Sequence, residues 1–437
     1  MARSNNRFWR RMRWVGVNLC RMLLSLTFVL SGIVKLIDPV GTQYKIEDYA
    51  QAFGLAALVS GFVPLLLSVC LALVEFDLGI CLFYGSHRKR ASRGSLLFLA
   101  LMTPFTLYLA LENPVSDCGC FGDAWTLTNW QTFYKNLLLL AAAVVVVWYY
   151  RLMTRFVLER NQWIITLYSK VFGFVFVCIN LYGLPVWDFR PYHIGADLLQ
   201  KMELDTDSAA LETYFLMEKD GVQQEFSLEN YPDSSWTFVD SRTVNMQEAA
   251  SELPEITDFR MLRLEDNEDI TEAFLRDSTY KFLLIAPHLE NADDGTMDRI
   301  AGVHDYCLTH GYPFYCLTAS GTDAISRWNE MTGAEYPYCH TDDVVLKTMI
   351  RSNPGLILLK EGKVIRKWSV NNLPNEYDLT DSLDRLPIGY TNEHSLMYKV
   401  LLVIAWFVFP LFFFCMSDLM WERYKKRQQQ KNVKEEN

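Results

Sequence analysis

Asp117-Cys118-Gly119-Cys120-Phe121-Gly122 joins two apolar runs, Ser95 to Leu111 and Phe133 to Tyr150. Two thiols one residue apart, with glycines between and after them, are poised for chemistry more than for packing. A Cys-x-Cys disulfide closes a small ring far from relaxed geometry, and such a bond is readily reduced. Gly119 is the residue that bends freely enough to bring the two sulfurs together. The same pattern also suits two small buried thiols at a helix end. A metal site would need further ligands, and no other His or Cys lies nearby in the sequence.

Outward from this loop, the chain is built of two materials. Pro191 to His394 carries 16 Lys and Arg against 37 Asp and Glu, a net of −21, while the remainder is +11, which together give the −10 of the whole chain. An acidic soluble block is thus set in a basic, apolar membrane frame. The acidic block argues against nucleic acid as a partner, because phosphate binding needs clustered Lys and Arg.

Six apolar runs are long enough, or nearly so, to span a bilayer. They are Trp14 to Val34, Leu55 to Tyr84, Ser95 to Leu111, Phe133 to Tyr150, Trp163 to Leu184 and Met397 to Met416. The first follows an Arg-rich start, 1–13, but no small-residue cleavage site follows it, so it reads as a membrane helix and not a removed signal. Basic segments at the N-terminus, at 87–93, at 151–160 and at 423–427 alternate with acidic or neutral loops. The positive-inside rule places these segments and both termini in the cytoplasm. The Cys-Gly-Cys loop and the acidic domain then share the opposite side, the periplasm of a bacterium, where disulfides persist. The tail, 419–437, is basic, polar and cytoplasmic on this reading.

Within the soluble block, 191–253 reads as a small β-rich segment. Tyr214 to Glu218 and Val222 to Leu228 flank Lys219-Asp220-Gly221, a hairpin turn signal. From Pro254, strands and helices alternate. Strands are expected at Phe259 to Leu264, Lys281 to Ala286, Phe314 to Thr318, Tyr336 to Cys339, Gly355 to Lys360 and Lys363 to Trp368. Helices are expected at Thr296 to His310, Asp323 to Met331 and Val344 to Arg351, the first with Met297, Ile300, Val303 and Leu308 facing the core. The pattern is an α/β sheet closed by a hairpin.

Two resemblances carry these readings further. Ser31-Gly32-Ile33-Val34-Lys35-Leu36 and Asp38-Pro39, at the outer end of the first run, resemble the DoxX/MauE family of small membrane proteins. The Cys-Gly-Cys loop is similar to its MauE-like branch. The likeness covers Trp14 to Tyr150. It implies a four-helix membrane bundle, here with two further spans, associated with envelope thiol/disulfide chemistry and linked to a quinone. It also implies a partner protein in which disulfides are formed. Asp258 to Leu262 with Phe282 to Ile285, and Asn353 to Leu359 with Glu361-Gly362-Lys363, resemble peroxiredoxin and TlpA-type thioredoxin domains. That resemblance implies a cis peptide before Pro354. Where such domains carry catalytic cysteines, this chain has Pro287-His288-Leu289-Glu290-Asn291-Ala292. The thioredoxin-like domain, 254–394, is therefore expected to be a docking platform without thiols of its own.

The candidate catalytic residues are Cys118, Cys120 and Glu75, a carboxylate inside the second run, where charge is expensive and usually functional. Asp77 lies two residues on, and a quinone would bind near Glu75 and Asp77. Lys35 and Asp38 are expected to form a structural ion pair, and Trp125 and Trp130 to anchor at the interface. Asp117 disfavours a thiolate at Cys118, which makes Cys120 the better attacker. His288, Leu289, Glu290, Asn291 and Pro354 form the expected client-binding surface, facing the thiol loop or a shared client. Cys316 and Cys339 read as buried thiols or, less simply, as a functional pair. Two functions compete: a thiol-disulfide oxidoreductase acting on an extracytoplasmic protein, and a non-enzymatic assembly factor that holds a partner on a redox-inactive thioredoxin fold. A transporter is the weaker third, since no paired broken helices are visible.

Overall fold

The first helix of the membrane-spanning unit breaks at Asp38-Pro39. The computed structural model describes residues 2–115, 118–202, 211–219, 222–227, 237–245, 255–391 and 393–435. Helix α1 (Ala2–Ile37) stops where the Asp38 carboxylate accepts the Gly41 N–H and starts α2 (Pro39–Ala52). This is an N-cap followed by proline at the first helical position. Then come α3 (Val63–Tyr84), α4 (Arg88–Glu112), α5 (Asn129–Trp148), α6 (Gln162–Tyr182) and, after the soluble block, α12 (Glu393–Glu435). Six of these helices, all but α2, are long and apolar enough to cross a membrane. The chain is a multi-pass membrane protein.

Two core clusters hold the helices. One joins α1, α3, α4 and α5 through Leu24, Phe28, Leu82, Leu99, Leu139 and Val146. The other adds α6 and α12 to α1 and α3 through Leu36, Phe76, Ile165, Phe172 and Leu411. The architecture is a four-helix core with two further spans. Helices α1 and α3 approach closely because glycines face each other's backbone. A Cβ at Gly32 would lie 2.6 Å from Phe76 N, and one at Gly79 would lie 2.7 Å from Val29 N. Small residues permit such contact in lipid, where packing replaces the hydrophobic drive.

The second run begins later than its hydropathy suggests. Helix α3 starts at Val63 and not near Leu55. Residues 53–62 are apolar and exposed, but they form turns, with Gly54 and Gly61 at φ +68 and +65. Apolar composition counts toward a span even where glycine breaks the helix. Conversely α4 starts at Arg88 and α5 at Asn129, earlier than expected. A capping box between Thr128 and Gln131 fixes the latter start.

The soluble unit spans Pro191–Lys367 and Leu373–Thr391. It opens with α7 (Leu198–Met202) and a three-stranded antiparallel sheet in the order β2-β1-β3. Strands β1 (Leu211–Lys219) and β2 (Val222–Ser227) are the expected hairpin, whose turn residues Asp220 and Gly221 lie outside the described residues. Strand β3 (Thr237–Asn245) was not expected. The larger sheet has six strands in the order β4-β7-β6-β5-β8-β9. They are β4 (Leu262–Arg263), β5 (Tyr280–Ile285), β6 (Phe314–Thr318), β7 (Tyr338–His340), β8 (Gly355–Lys360) and β9 (Lys363–Ser369). Helix α8 (Thr271–Arg276) precedes β5, while α9 (Met297–His310), α10 (Thr322–Thr332) and α11 (Asp343–Met349) connect the later strands.

Strands β5, β6 and β7 run parallel, β8 returns antiparallel to β5, and the Asn353-Pro354 peptide leading β8 is cis. The domain is a thioredoxin-like α/β sheet. The first expected strand is almost lost, because the Met261 N–H donates to Thr271 Oγ1 and the Met261 carbonyl accepts from Ile270. On α9, Ile300, Val303, Tyr306 and Cys307 are buried, while Leu308 is 68% exposed. The core stripe therefore runs through 306 and 307 in place of 308, as the 3.6-residue period demands.

Candidate thiol site

The site is assembled on the α1–α3 contact. Ser31 and Lys35 sit one turn apart on α1 and face Glu75 on α3. Lys35 Nζ lies 2.8 Å from Glu75 Oε2, with side chains only 5% and 7% exposed. Ser31 Oγ lies 2.6 Å from the same oxygen. Lys35 also donates to Ser31 Oγ at 2.7 Å and to the Cys120 carbonyl at 2.8 Å. Its three N–H groups thus meet three acceptors, and none is left over. Ser31 Oγ is 2.7 Å from the Cys120 carbonyl as well. A buried ion pair holds only when its remaining donors and acceptors are satisfied. Here a backbone carbonyl of the thiol loop completes it.

This corrects one expectation. Lys35 pairs with Glu75, whereas Asp38 caps α2. Asp77 is also separated from the site. Two residues on from Glu75, a helix turns by about 200°, so Asp77 meets Lys170 of α6 at 3.9 Å. Glu75 alone of the two carboxylates belongs to the thiol site.

The loop itself is shaped by glycine. Gly119 has φ +62 and Gly122 φ +52, the left-handed region that other residues avoid. Tyr49 of α2 donates its hydroxyl to the Cys118 carbonyl at 2.7 Å, and Asn129 donates to the Val115 carbonyl at 2.8 Å. Held this way, Cys118 Sγ and Cys120 Sγ lie 3.1 Å apart as free thiols. The hydrogen bond with Cys118 holds the Cys120 thiol down at about 6. The Lys135 and Lys35 ammonium groups act in the same direction, against burial and the Glu75 charge. The same hydrogen bond, with burial, pushes Cys118 up. The two thiols titrate as one coupled pair. Asp117, whose charge was expected to order the two thiols, lies outside the described residues.

Lys135, like Tyr49, is a residue that sequence reading missed. It sits on α5, and its ammonium lies 4.4 Å from the centre of the Phe121 ring, within cation–π range. Phe121 stacks in turn on the exposed Trp125. A lone lysine one and a half turns into an apolar helix was the available signal, since such charges mark functional positions. Beside Cys120, a cavity of about 50 Å³ is lined by Ser31, Glu75, Lys135, Asn136 and Thr27 with Phe28, Phe98, Leu99, Met102 and Leu139. Its hydroxyl, amide and ammonium groups suit a quinone carbonyl in kind. Its volume is a third of the roughly 150 Å³ that admits benzene.

In the soluble unit, His288 Nε2 lies 3.0 Å from Asp343 Oδ1, and the His288 carbonyl accepts from Asn353 next to Pro354. Glu290 accepts from Ser320 Oγ at 2.8 Å, and Asn291 is exposed. His288, Glu290 and Asn291 reach the surface, whereas Leu289, 3% exposed, and Pro354 are buried and belong to the core. Cys316 pairs in register with Tyr338, and Cys339 with Leu317. One register step apart, their side chains point to opposite faces, so they form no functional pair. No cluster of three metal-ligating side chains occurs among the described residues.

Residues 12–149 match the family described as methylamine utilisation protein MauE. Residues 211–248 match a domain of unknown function (DUF8463). No curated protein sequence matches the chain. A solution structure from Bacteroides thetaiotaomicron, described as that of a candidate protein disulfide isomerase, is similar to 26% of this chain and 76% of its own, at 14% identity and a TM-score of 0.23.

Proposed function

We propose, taking the MauE match of residues 12–149 as premise, that this membrane protein exchanges disulfides with an extracytoplasmic protein through Cys118 and Cys120. The observation that carries the reading is the 3.1 Å approach of two free thiols in a loop whose backbone is tied to a buried ion pair. Structural cysteines need no such control. Lys35, Ser31 and Glu75 position the loop through the Cys120 carbonyl, and Tyr49 does so through the Cys118 carbonyl.

On this reading both termini lie in the cytoplasm, and the thiol loop and the soluble domain lie in the periplasm of a bacterium, as the basic segments suggest. The thioredoxin-like domain binds a protein client at His288, Glu290 and Asn291, which lie beside the buried Pro354. Lacking cysteine after β5, it holds and does not reduce. A quinone is the acceptor class that the resemblance suggests for regenerating the disulfide. No electron step is assigned to it.

The test is the Cys118→Ser/Cys120→Ser double variant, compared with wild type in cells for the redox state of envelope proteins. Accumulation of reduced client thiols at unchanged protein level supports exchange. Unchanged clients would favour the scaffold, in which only the thioredoxin-like surface acts.

A further inference from the structure

The two sulfurs do not share the same surroundings. Cys120 lines the cavity with Glu75, Lys135 and Asn136, and Cys118 is not among its lining residues. The Cys120 carbonyl is fixed to α1 by Lys35 and Ser31. The Cys118 carbonyl is instead fixed to α2 by Tyr49. Lys135 of α5 lines that cavity together with Cys120 and rests on the ring of Phe121, the next residue in the chain, although its charge also reaches Cys118.

We infer that Cys118 is the sulfur a client thiolate attacks and Cys120 the sulfur that leaves, received by the Lys135 ammonium. The inference rests on the exchange reading above and assigns roles within it. A client thiolate forms a bond to Cys118 Sγ, the Cys118–Cys120 bond breaks, and its electron pair stays on Cys120. The second client thiol then attacks the client sulfur of the mixed disulfide. That bond's electron pair leaves on Cys118, which takes up the proton the second client thiol gives up. The client is oxidised by two electrons and the pair reduced by two. The product carries a thiol on Cys118 beside a thiolate on Cys120, in line with the upward shift of the first and the downward shift of the second. Leaving-group thiols with low pKa depart faster, so the ammonium on the Cys120 side speeds attack at Cys118.

The experiment uses oxidised full-length protein in lipid nanodiscs and reduced glutathione as the client. The reaction is quenched in acid and the adduct located by peptide mass spectrometry. Glutathione on Cys118 with Cys120 free is expected. Glutathione on Cys120 overturns the assignment while leaving exchange intact. No adduct and no reduction of the pair overturns the exchange reading itself. A second measurement follows the pH midpoint of Cys120 alkylation in a Cys118→Ser background. Lys135→Met should raise it by about one unit, roughly tenfold in thiolate at a given pH, and Lys135→Arg should not. An unchanged midpoint in Lys135→Met removes Lys135 from the mechanism.

Discussion

Lys35 and Cys120 are joined through the backbone of the latter: the ammonium donates to the Cys120 carbonyl at 2.8 Å while pairing with Glu75 at the same distance. The thiol loop is therefore part of a buried electrostatic unit. Removing one partner of such a pair strands a charge and costs about 3–5 kcal/mol, whereas replacing both with apolar groups is often nearly neutral. Lys35→Met and Glu75→Leu should each lower the unfolding temperature markedly, and the double variant should be more stable than either. Thermal unfolding of the four proteins in one detergent forms the cycle. Additive losses would mean the two residues do not act as a unit.

Gly119 holds φ +62, and a Cβ there would meet Lys45 Cγ at 3.2 Å. A left-handed conformation costs a non-glycine residue about 1–2 kcal/mol. Gly119→Ala should destabilise the loop by that order and slow closure of the Cys118–Cys120 bond. The rate of disulfide formation with a small oxidant, followed by loss of alkylatable thiol, reads this directly. A wild-type rate in the alanine variant would remove the glycine from the argument.

How much of this was legible beforehand differs by element. The six spans, the alternation in the soluble domain and the Cys-Gly-Cys loop were visible because hydropathy, period and glycine placement are local properties. The partner of Lys35 was not, because Asp38 is near in sequence and Glu75 near only after two helices pack. Lys135 was overlooked for the same reason: nothing in α5 by itself shows what it faces. Helix α2 was hidden inside a stretch whose composition is mixed, and it became visible only with the cap at Asp38.

The thiol pair should give a distinctive dependence of stability on pH. Unfolded thiols titrate near 8.5, whereas folded Cys120 titrates at about 6 and folded Cys118 well above the ordinary range. Between about 6 and 8.5 the unfolded chain binds more protons, so the pair's contribution rises with pH. Beyond that window the folded state keeps the Cys118 proton that the unfolded state loses, and the contribution falls. The stability difference between the reduced wild type and Cys118→Ser/Cys120→Ser should peak near pH 8.5. A difference flat from pH 5 to 10 would contradict it.

Reporter fusions test the sidedness. Ser86 lies between α3 and α4, and Thr126 between the thiols and α5. An enzyme active only outside the cytoplasm should report at Thr126 and be silent at Ser86. Equal activity at both would refute the assigned orientation.

The glycine contact between α1 and α3 has a mechanical consequence. With Cβ positions at Gly32 and Gly79 that would fall under 3 Å from opposing backbone atoms, the spacing of these helices has no slack. Ser31 and Lys35 hang from one helix and Glu75 from the other, so the thiol loop inherits its dimensions from the clearance between two main chains. An added methyl at Gly32 or Gly79 would act like a shim. It would remove no polar side chain, yet it would draw Ser31 and Lys35 away from Glu75 and shift the two cysteines by widening the frame that carries them.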